Sequence, residues 1–227
     1  MVPYLKDTLN YLANIGTLPS DTEKEKLHKR FLVYVALLMT GGGLMWATIC
    51  IYHGRYLSAT VPLGYIVFTV VNLLYFSRSK RLDMVRFFQL LMSLVLPFVF
   101  QLTLGGFVPS GSVMLWSMTA ILGALTFQET RITFKWFLGY LVLAAVSGVL
   151  DGQFSSPEPP VSSTAISTLF VLNIIGVSTI VFGLMMYFVR KNEFAYKELE
   201  LANTALVESQ EQLVQAEKMA SLGSLTA

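Results

Sequence analysis

Three side-chain amides stand within long apolar stretches of the sequence: Asn72, Gln101 and Asn173. In lipid, such a group can bind a ligand through hydrogen bonds, or it can join two helices. These stretches lack the chains of acidic and basic residues with which pumps and proton-coupled transporters move ions. The three amides therefore form a candidate intramembrane polar site, and helix–helix hydrogen bonding is the alternative that the sequence leaves open.

Residues that perform catalysis or bind metals are scarce. The chain has two histidines, His28 and His53, and one cysteine, Cys50. No spacing among them is typical of a metal site, and one cysteine excludes an intramolecular disulfide. We expect both histidines to be solvated and Cys50 to act as a small apolar residue. The sequence predicts no catalytic, cofactor-binding or metal-binding residue in this chain.

Composition identifies the elements that hold the amides. Of the 227 residues, 54% are apolar and 13% are charged, whereas an ordinary soluble domain has about 25% charged residues. The predicted fold is an all-α membrane protein, with a six-helix transmembrane bundle over residues 31–189. The six predicted spans each reach at least the lower limit of about 17 residues: Phe31–Tyr52, Leu57–Phe76, Phe87–Leu104, Gly111–Phe127, Phe134–Leu150 and Ala165–Val189.

Basic residues predict the orientation of the spans. They cluster before the first span, between the second and third, between the fourth and fifth, and after the last, whereas Arg55 is the only basic residue on the other side. The positive-inside rule then predicts that both termini lie on the cytoplasmic side of a bacterial-type inner membrane. The predicted outer connections, 53–56, 105–110 and 151–164, are too short to fold as domains. We therefore expect the stimulus to be sensed within the membrane, at its surface or through contact with a partner. A small or lipophilic molecule or a bilayer property would be the signal, and membrane lipids are expected partners.

Residues 1–30 are predicted to be a cytoplasmic amphipathic segment. Leu5, Leu9, Leu12 and Ile15 recur at near-helical spacing, which is typical of a helix at the membrane surface. Thr17–Asp21 is expected to interrupt it, and Ser20 or Asp21 to cap the helix that follows. The net charge of +2 gives no indication of a nucleic-acid partner.

After the last span, residues 190–218 are predicted to be a parallel coiled-coil signalling helix. No glycine or proline occurs from Leu184 to Leu222, and apolar residues follow a heptad pattern that indicates a two-stranded coil and a homodimer. The two seam positions are occupied by Leu199, Leu206, Leu213 and Ala220, and by Ala195, Ala202, Ser209 and Ala216.

The last residues, Glu217-Lys218-Met219-Ala220-Ser221-Leu222-Gly223-Ser224-Leu225-Thr226-Ala227, resemble the opening of the phosphotransfer domain of sensor histidine kinases. The resemblance implies that residues 219–227 begin a dimeric four-helix bundle, and that the phosphoacceptor histidine follows a few residues later. It implies that ATP and magnesium bind a kinase domain beyond this fragment, which itself needs no cofactor. It also implies a response regulator as the partner that receives the phosphoryl group.

Two other functions remain open at this stage. Similar six-span modules are joined to class III adenylate cyclases, although the terminal string favours the kinase. A small transporter is the second alternative, but intramembrane charges or an internal repeat would be expected in it, and neither is evident in the sequence. We expect a sensor that relays a signal through the coil to an output domain.

Overall fold

A computed structural model describes residues 12, 14–127, 130–151, 153 and 162–225. These residues are helical with short connections, and no strand occurs among them. The predicted surface helix over residues 5–15 falls mostly outside the described residues. The helices, in chain order, are α1 (Glu23–Tyr52), α2 (Tyr56–Ser79), α3 (Leu82–Thr103), a 3-10 helix (Val113–Ser117), α4 (Met118–Phe127), α5 (Thr130–Leu150) and α6 (Ser163–Leu225).

Five helices in the described part of the chain are long and apolar enough to cross a membrane: α1, α2, α3, α5 and the Ile166–Met186 part of α6. They correspond to five of the predicted spans. The predicted span Gly111–Phe127 differs, because its first residues form the 3-10 helix and only ten residues follow in α4. At about 2.0 Å per residue in a 3-10 helix and 1.5 Å in an α-helix, the pair extends about 25 Å. That length is slightly less than the roughly 30 Å of a hydrocarbon core.

The start of α1 is fixed by a capping box. Residues 14–22 are not helical, as the sequence predicted for Thr17–Asp21. The cap is Thr22, however, and not Ser20 or Asp21: the Glu25 N–H donates to Thr22 Oγ1, and the Thr22 N–H donates to the Glu25 carboxylate at 2.8 Å. This reciprocal pair satisfies two of the N–H groups that a helix leaves free at its start. The prediction missed the Thr-x-x-Glu spacing.

The chain divides into two structural units, of which the first is Met1–Val181. Contacts at the two ends of this unit show how its helices are arranged. At one end, Ser58 Oγ at the start of α2 donates to the Thr103 carbonyl at 3.0 Å, and the Phe107 N–H donates to Asp151 Oδ1 at 3.0 Å. At the other end, Lys80 Nζ donates to the Ile15 carbonyl. The described residues of the three predicted outer connections therefore lie at one end of the bundle.

The core of this unit lies among α1, α2, α3, the 3-10 helix and α6, which contributes Val177. Ten buried side chains form it: Met39, Trp46, Cys50, Ala59, Tyr65, Phe100, Leu104, Val113, Trp116 and Val177. Cys50 is buried here as a small apolar residue, as the sequence predicted. The opposite faces of the helices carry exposed large apolar side chains, among them Leu38, Val67 and Val142. A bilayer would cover such faces without cost.

The second unit, Phe182–Ala227, is helical up to Leu225, as the absence of glycine and proline predicted. Leu199, Leu206 and Leu213 are 66%, 57% and 68% exposed. Ala202 and Ser209, from the other seam position, are also exposed. The side chains of Ala195, Ala216 and Ala220 lie outside the described residues. A seven-residue apolar repeat thus lies on the surface of a single chain.

Candidate functional site

A cavity of about 60 Å³ lies among α1, α2, α3 and the 3-10 helix. Its walls are almost wholly apolar. Two of its residues, Pro62 and Pro97, are prolines inside helices, where each removes one backbone hydrogen bond. The thirteen lining residues are Met39, Gly42, Gly43, Trp46, Val61, Pro62, Tyr65, Ser93, Leu96, Pro97, Phe100, Val113 and Trp116.

The glycines of α1 let the walls approach closely. A Cβ on Gly43 would lie 3.4 Å from Ile66 Cγ1, and a Cβ on Gly42 would lie 3.3 Å from Trp116 Cζ3. α1 is helical through all three residues of Gly41-Gly42-Gly43. Gly42 and Gly43 therefore allow close packing of the Trp116 ring and of α2 against α1, whereas Gly41 faces open space.

Asn72 belongs to a polar network between α2 and α3. Its Nδ2 donates to the Val85 carbonyl at 3.0 Å and to Gln89 Oε1 at 3.1 Å. Gln89 Nε2 in turn donates to the Tyr65 hydroxyl at 2.9 Å and to Thr69 Oγ1 at 3.2 Å. All four of these side chains are buried. Because the donors and acceptors satisfy one another, the network joins two helices, and Asn72 has the helix-joining role that the sequence left as an alternative.

The network reaches the cavity through two hydroxyl groups. Tyr65 Oη and Ser93 Oγ are 3.2 Å apart, within hydrogen-bond distance, and both residues line the cavity. Tyr65, Thr69, Gln89 and Ser93 were not predicted from the sequence as members of a polar site. A signal for them exists, since Tyr65, Thr69 and Asn72 are four and three residues apart, and Gln89 and Ser93 are four apart, which places each set on one helix face.

Asn173 is fully buried where α6 passes the 3-10 helix. Trp116 Nε1 donates to its Oδ1 at 2.8 Å, and its Nδ2 donates to the carbonyls of Ser110 at 3.2 Å and Gly111 at 2.7 Å. The same tryptophan lies over Gly176, where a Cβ would be 2.9 Å from Trp116 Cζ2. Trp116 therefore contacts the cavity on one side and α6 on the other.

Gln101 differs from the other two amides. It is 0% exposed, and neither Nε2 nor Oε1 has a hydrogen-bond partner among the described residues. A buried amide without partners costs about 1–3 kcal/mol. The three predicted polar residues thus lie in three different environments, and no hydrogen bond in the described part of the chain joins them into one site.

At the opposite end of the bundle, the segment before α1 is attached by charged groups. Lys29 Nζ donates to both carboxylate oxygens of Asp21, at 2.9 and 2.8 Å. Lys29 is buried and Asp21 is partly buried. Arg30 Nε donates to Asn14 Oδ1 at 2.9 Å. The Lys29 ammonium holds the pKa of the Asp21 carboxyl below its ordinary value. A Cβ on Gly16 would overlap the Phe76 ring, so any larger residue at this position would require the buried Phe76 side chain to move.

His53 is an exposed residue at the end of α1, as expected for a solvated side chain. Within the described residues, no three His, Cys, Asp or Glu side chains come together as a metal site would require. The chain matches no protein-family model, no curated protein and no solved structure. The features of this chain that indicate a function are the cavity, the hydrogen bonds around it and the exposed leucines of α6.

Proposed function

We propose that this chain is the membrane sensor region of a two-component histidine kinase. In this proposal the bundle crosses the membrane six times, with α4 and the 3-10 helix together as the short fourth crossing and both termini in the cytoplasm. The last helix pairs with that of a second copy and controls autophosphorylation in a domain that follows. ATP and magnesium act in that domain, and a response regulator receives the phosphoryl group.

The observation that carries the proposal is the exposed leucine repeat of α6. Leu199, Leu206 and Leu213 are each more than half exposed in one chain, and they recur every seven residues. Burying apolar surface contributes about 25 cal/mol of stabilising free energy per Å². A second copy of the same helix, packed against all three leucines, would therefore stabilise the paired state. We propose that the two identical seams pair as a parallel coiled coil. The residues Ala202 and Ser209, which alternate with the leucines, contribute little apolar area and make this coil weak.

A weak coil suits a signalling device. Two arrangements of a packed helix pair that differ by only a few kcal/mol can be exchanged by a ligand that prefers one of them. A strong all-leucine seam would resist such exchange. The proposal therefore assigns signal detection to the bundle and signal transmission to residues 190–218.

The test uses the complete protein that contains this chain, in membrane vesicles with radiolabelled ATP. The proposal predicts a phosphoryl group that is lost in acid and retained in base, which is the behaviour of phosphohistidine. Leu206→Pro should abolish control of the phosphorylation, because proline removes a backbone hydrogen bond and breaks the coil. Thr204→Ala, on the outward face of the coil, is the matched control and should behave as wild type.

Two results would overturn the proposed kinase output, and a third would overturn the proposed role of residues 190–218. Production of a cyclic nucleotide instead of phosphohistidine would assign the same receptor architecture to a cyclase. Solute-dependent flux in vesicles, with no phosphorylation, would favour a transporter. Retention of normal control in Leu206→Pro would remove the transmission role proposed for residues 190–218.

A further inference from the structure

The cavity among α1, α2, α3 and the 3-10 helix favours an apolar occupant over water. A buried water molecule needs two to four polar partners. The polar side-chain groups contributed by Tyr65 and Ser93 bond to each other, and the Tyr65 hydroxyl also accepts from Gln89. The other lining side chains are aliphatic, aromatic or, in Met39, a thioether, and the Trp46 indole N–H is the one lining group that is buried without a hydrogen-bond partner among the described residues. One such donor is fewer than the two to four partners that a water molecule needs. Such a site resembles the apolar cavities that stay dry and accept apolar guests.

The size of the cavity limits the guest. A single water molecule requires roughly 10–15 Å³ of volume measured with a water-sized probe, and this cavity has about 60 Å³. The space therefore admits a chain of a few carbon atoms but no large ring system or headgroup. The cavity is partly open, so a longer molecule can insert one end and leave the remainder outside.

We infer that this cavity is a binding site for a short alkyl group, supplied by a free lipophilic molecule or by an acyl chain of the bilayer. Trp46 and Trp116 form two of its walls and are only 5% and 8% exposed. An alkyl group bound here lies against both indole rings, and bulk lipid has little access to either ring. This difference in access makes binding measurable.

Trp116 connects the cavity to α6, so binding in the cavity can affect the helix to which signal transmission is assigned. Its indole N–H is bonded to Asn173, and its ring lies against Gly176. A guest that moves the ring changes two contacts with the membrane part of α6. This consequence rests on the proposed function, whereas binding of the alkyl group does not.

Tryptophan fluorescence tests the binding. The chain has three tryptophans, and Trp136→Phe leaves Trp46 and Trp116 as the only indole fluorophores, which are excited at wavelengths that tyrosine does not absorb. The full chain with this substitution is placed in nanodiscs of unbrominated phosphatidylcholine and titrated with 1-bromobutane, whose bromine quenches indole on contact. In a second arm, nanodiscs of a phospholipid brominated on its acyl chain replace the first, and no bromobutane is added.

A matched pair of variants on α2 makes the test specific. Val61→Phe places an aromatic ring in the cavity wall, whereas Val67→Phe places the same ring at a position that is 64% exposed. Leu96→Phe on α3 fills the cavity from another wall and replaces Val61→Phe if that variant fails to fold. Thermal unfolding in the same nanodiscs verifies folding in each case.

The inference predicts saturable quenching that Val61→Phe or Leu96→Phe removes and Val67→Phe leaves unchanged. Saturation by bromobutane identifies a free lipophilic molecule as a sufficient guest, and variant-sensitive quenching by the brominated lipid identifies an acyl chain. Quenching that rises linearly with bromobutane, together with lipid quenching that no variant changes, would overturn the inference. If the alkyl group binds but does not change autophosphorylation of the complete protein, that result would count against the proposed function alone and leave the binding inference intact.

Discussion

The Trp116 indole N–H donates a 2.8 Å hydrogen bond to the side-chain oxygen of Asn173. The two residues are 57 positions apart in sequence, and both are buried. One lies in the wall of the apolar cavity and the other in α6, the helix that continues to the leucine repeat. The bond is therefore a direct contact between the proposed sensing site and the helix proposed to transmit the signal.

Asn173→Leu should destabilise the bundle, because the Trp116 N–H loses its acceptor and the Ser110 and Gly111 carbonyls lose a donor. Single side-chain hydrogen bonds in membranes average about 0.6 kcal/mol, while an unsatisfied buried group costs about 1–3 kcal/mol. With several groups affected, we expect a loss of about 1–2 kcal/mol in unfolding free energy, measured by denaturant titration in mixed micelles. Ile174→Leu, at an exposed neighbouring position, is the control. Equal stability of Asn173→Leu and wild type would show that the bond is energetically unimportant.

Gln101→Leu should behave in the opposite way. Because the amide has no partner among the described residues, its replacement removes a desolvation cost and no hydrogen bond. We expect unfolding free energy equal to or above that of wild type in the same titration. A clear loss of stability would reveal that the amide makes interactions on which the fold depends.

Asp21→Asn should lower the melting temperature at neutral pH and have a smaller effect in acid. The folded pKa of Asp21 is lowered, chiefly by its hydrogen bonds with Lys29, from an ordinary value of 3.8. Its contribution to stability is therefore fully present above the unfolded pKa and is lost as the pH falls below 3.8 through the folded pKa. Melting curves of variant and wild type should converge over that range.

Asp83→Asn is the matched control for this pH dependence. Asp83 pairs with Arg86 at 2.6 Å, but its side chain is 89% exposed, and exposed pairs contribute about 0–1 kcal/mol. We expect little change in melting temperature at any pH. A difference between Asp21→Asn and wild type that persists undiminished in acid would contradict the assignment of the effect to the carboxylate charge.

Whether an element could be predicted from the sequence depends on the physical property that determines that element. Runs of apolar residues predicted five long helices, because their length and composition alone determine whether they suit a bilayer. The fourth predicted span became a 3-10 helix followed by a short α-helix. Ser112 precedes that 3-10 helix in the left-handed region, with a φ of 58°, a local backbone conformation that hydropathy does not encode.

The candidate site was less predictable. Asn72, Gln101 and Asn173 were identified as polar residues in apolar stretches, but their partners depend on which helices become neighbours. Gln89 and Trp116 acquire their importance from contacts across 17 and 57 positions of sequence. Periodicity in a single sequence shows which residues share a face of one helix. It does not show which face of another helix packs against them.

The proposed membrane orientation can be tested with topology reporters. Fusions within residues 105–110 and 151–164 should report the outside, and a fusion within 77–86 should report the cytoplasm, because the basic residues Arg78, Lys80 and Arg81 favour retention there. The contact of Phe107 with Asp151 places the first two sites at one end of the bundle. A cytoplasmic signal from the 151–164 fusion would exclude six crossings.

Cysteine cross-linking tests the central claim, the parallel pairing of two copies through the leucine repeat. Cys50 is the only cysteine, so a Cys50→Ala background accepts single cysteines at Leu199, Leu206 and Leu213 on the seam, or at Thr204 and Glu211 on the outward face. Our account predicts rapid disulfide-linked dimers in membranes for the three seam positions and little product for the two outward positions. Equal cross-linking at all five positions, or none at the seam, would contradict it.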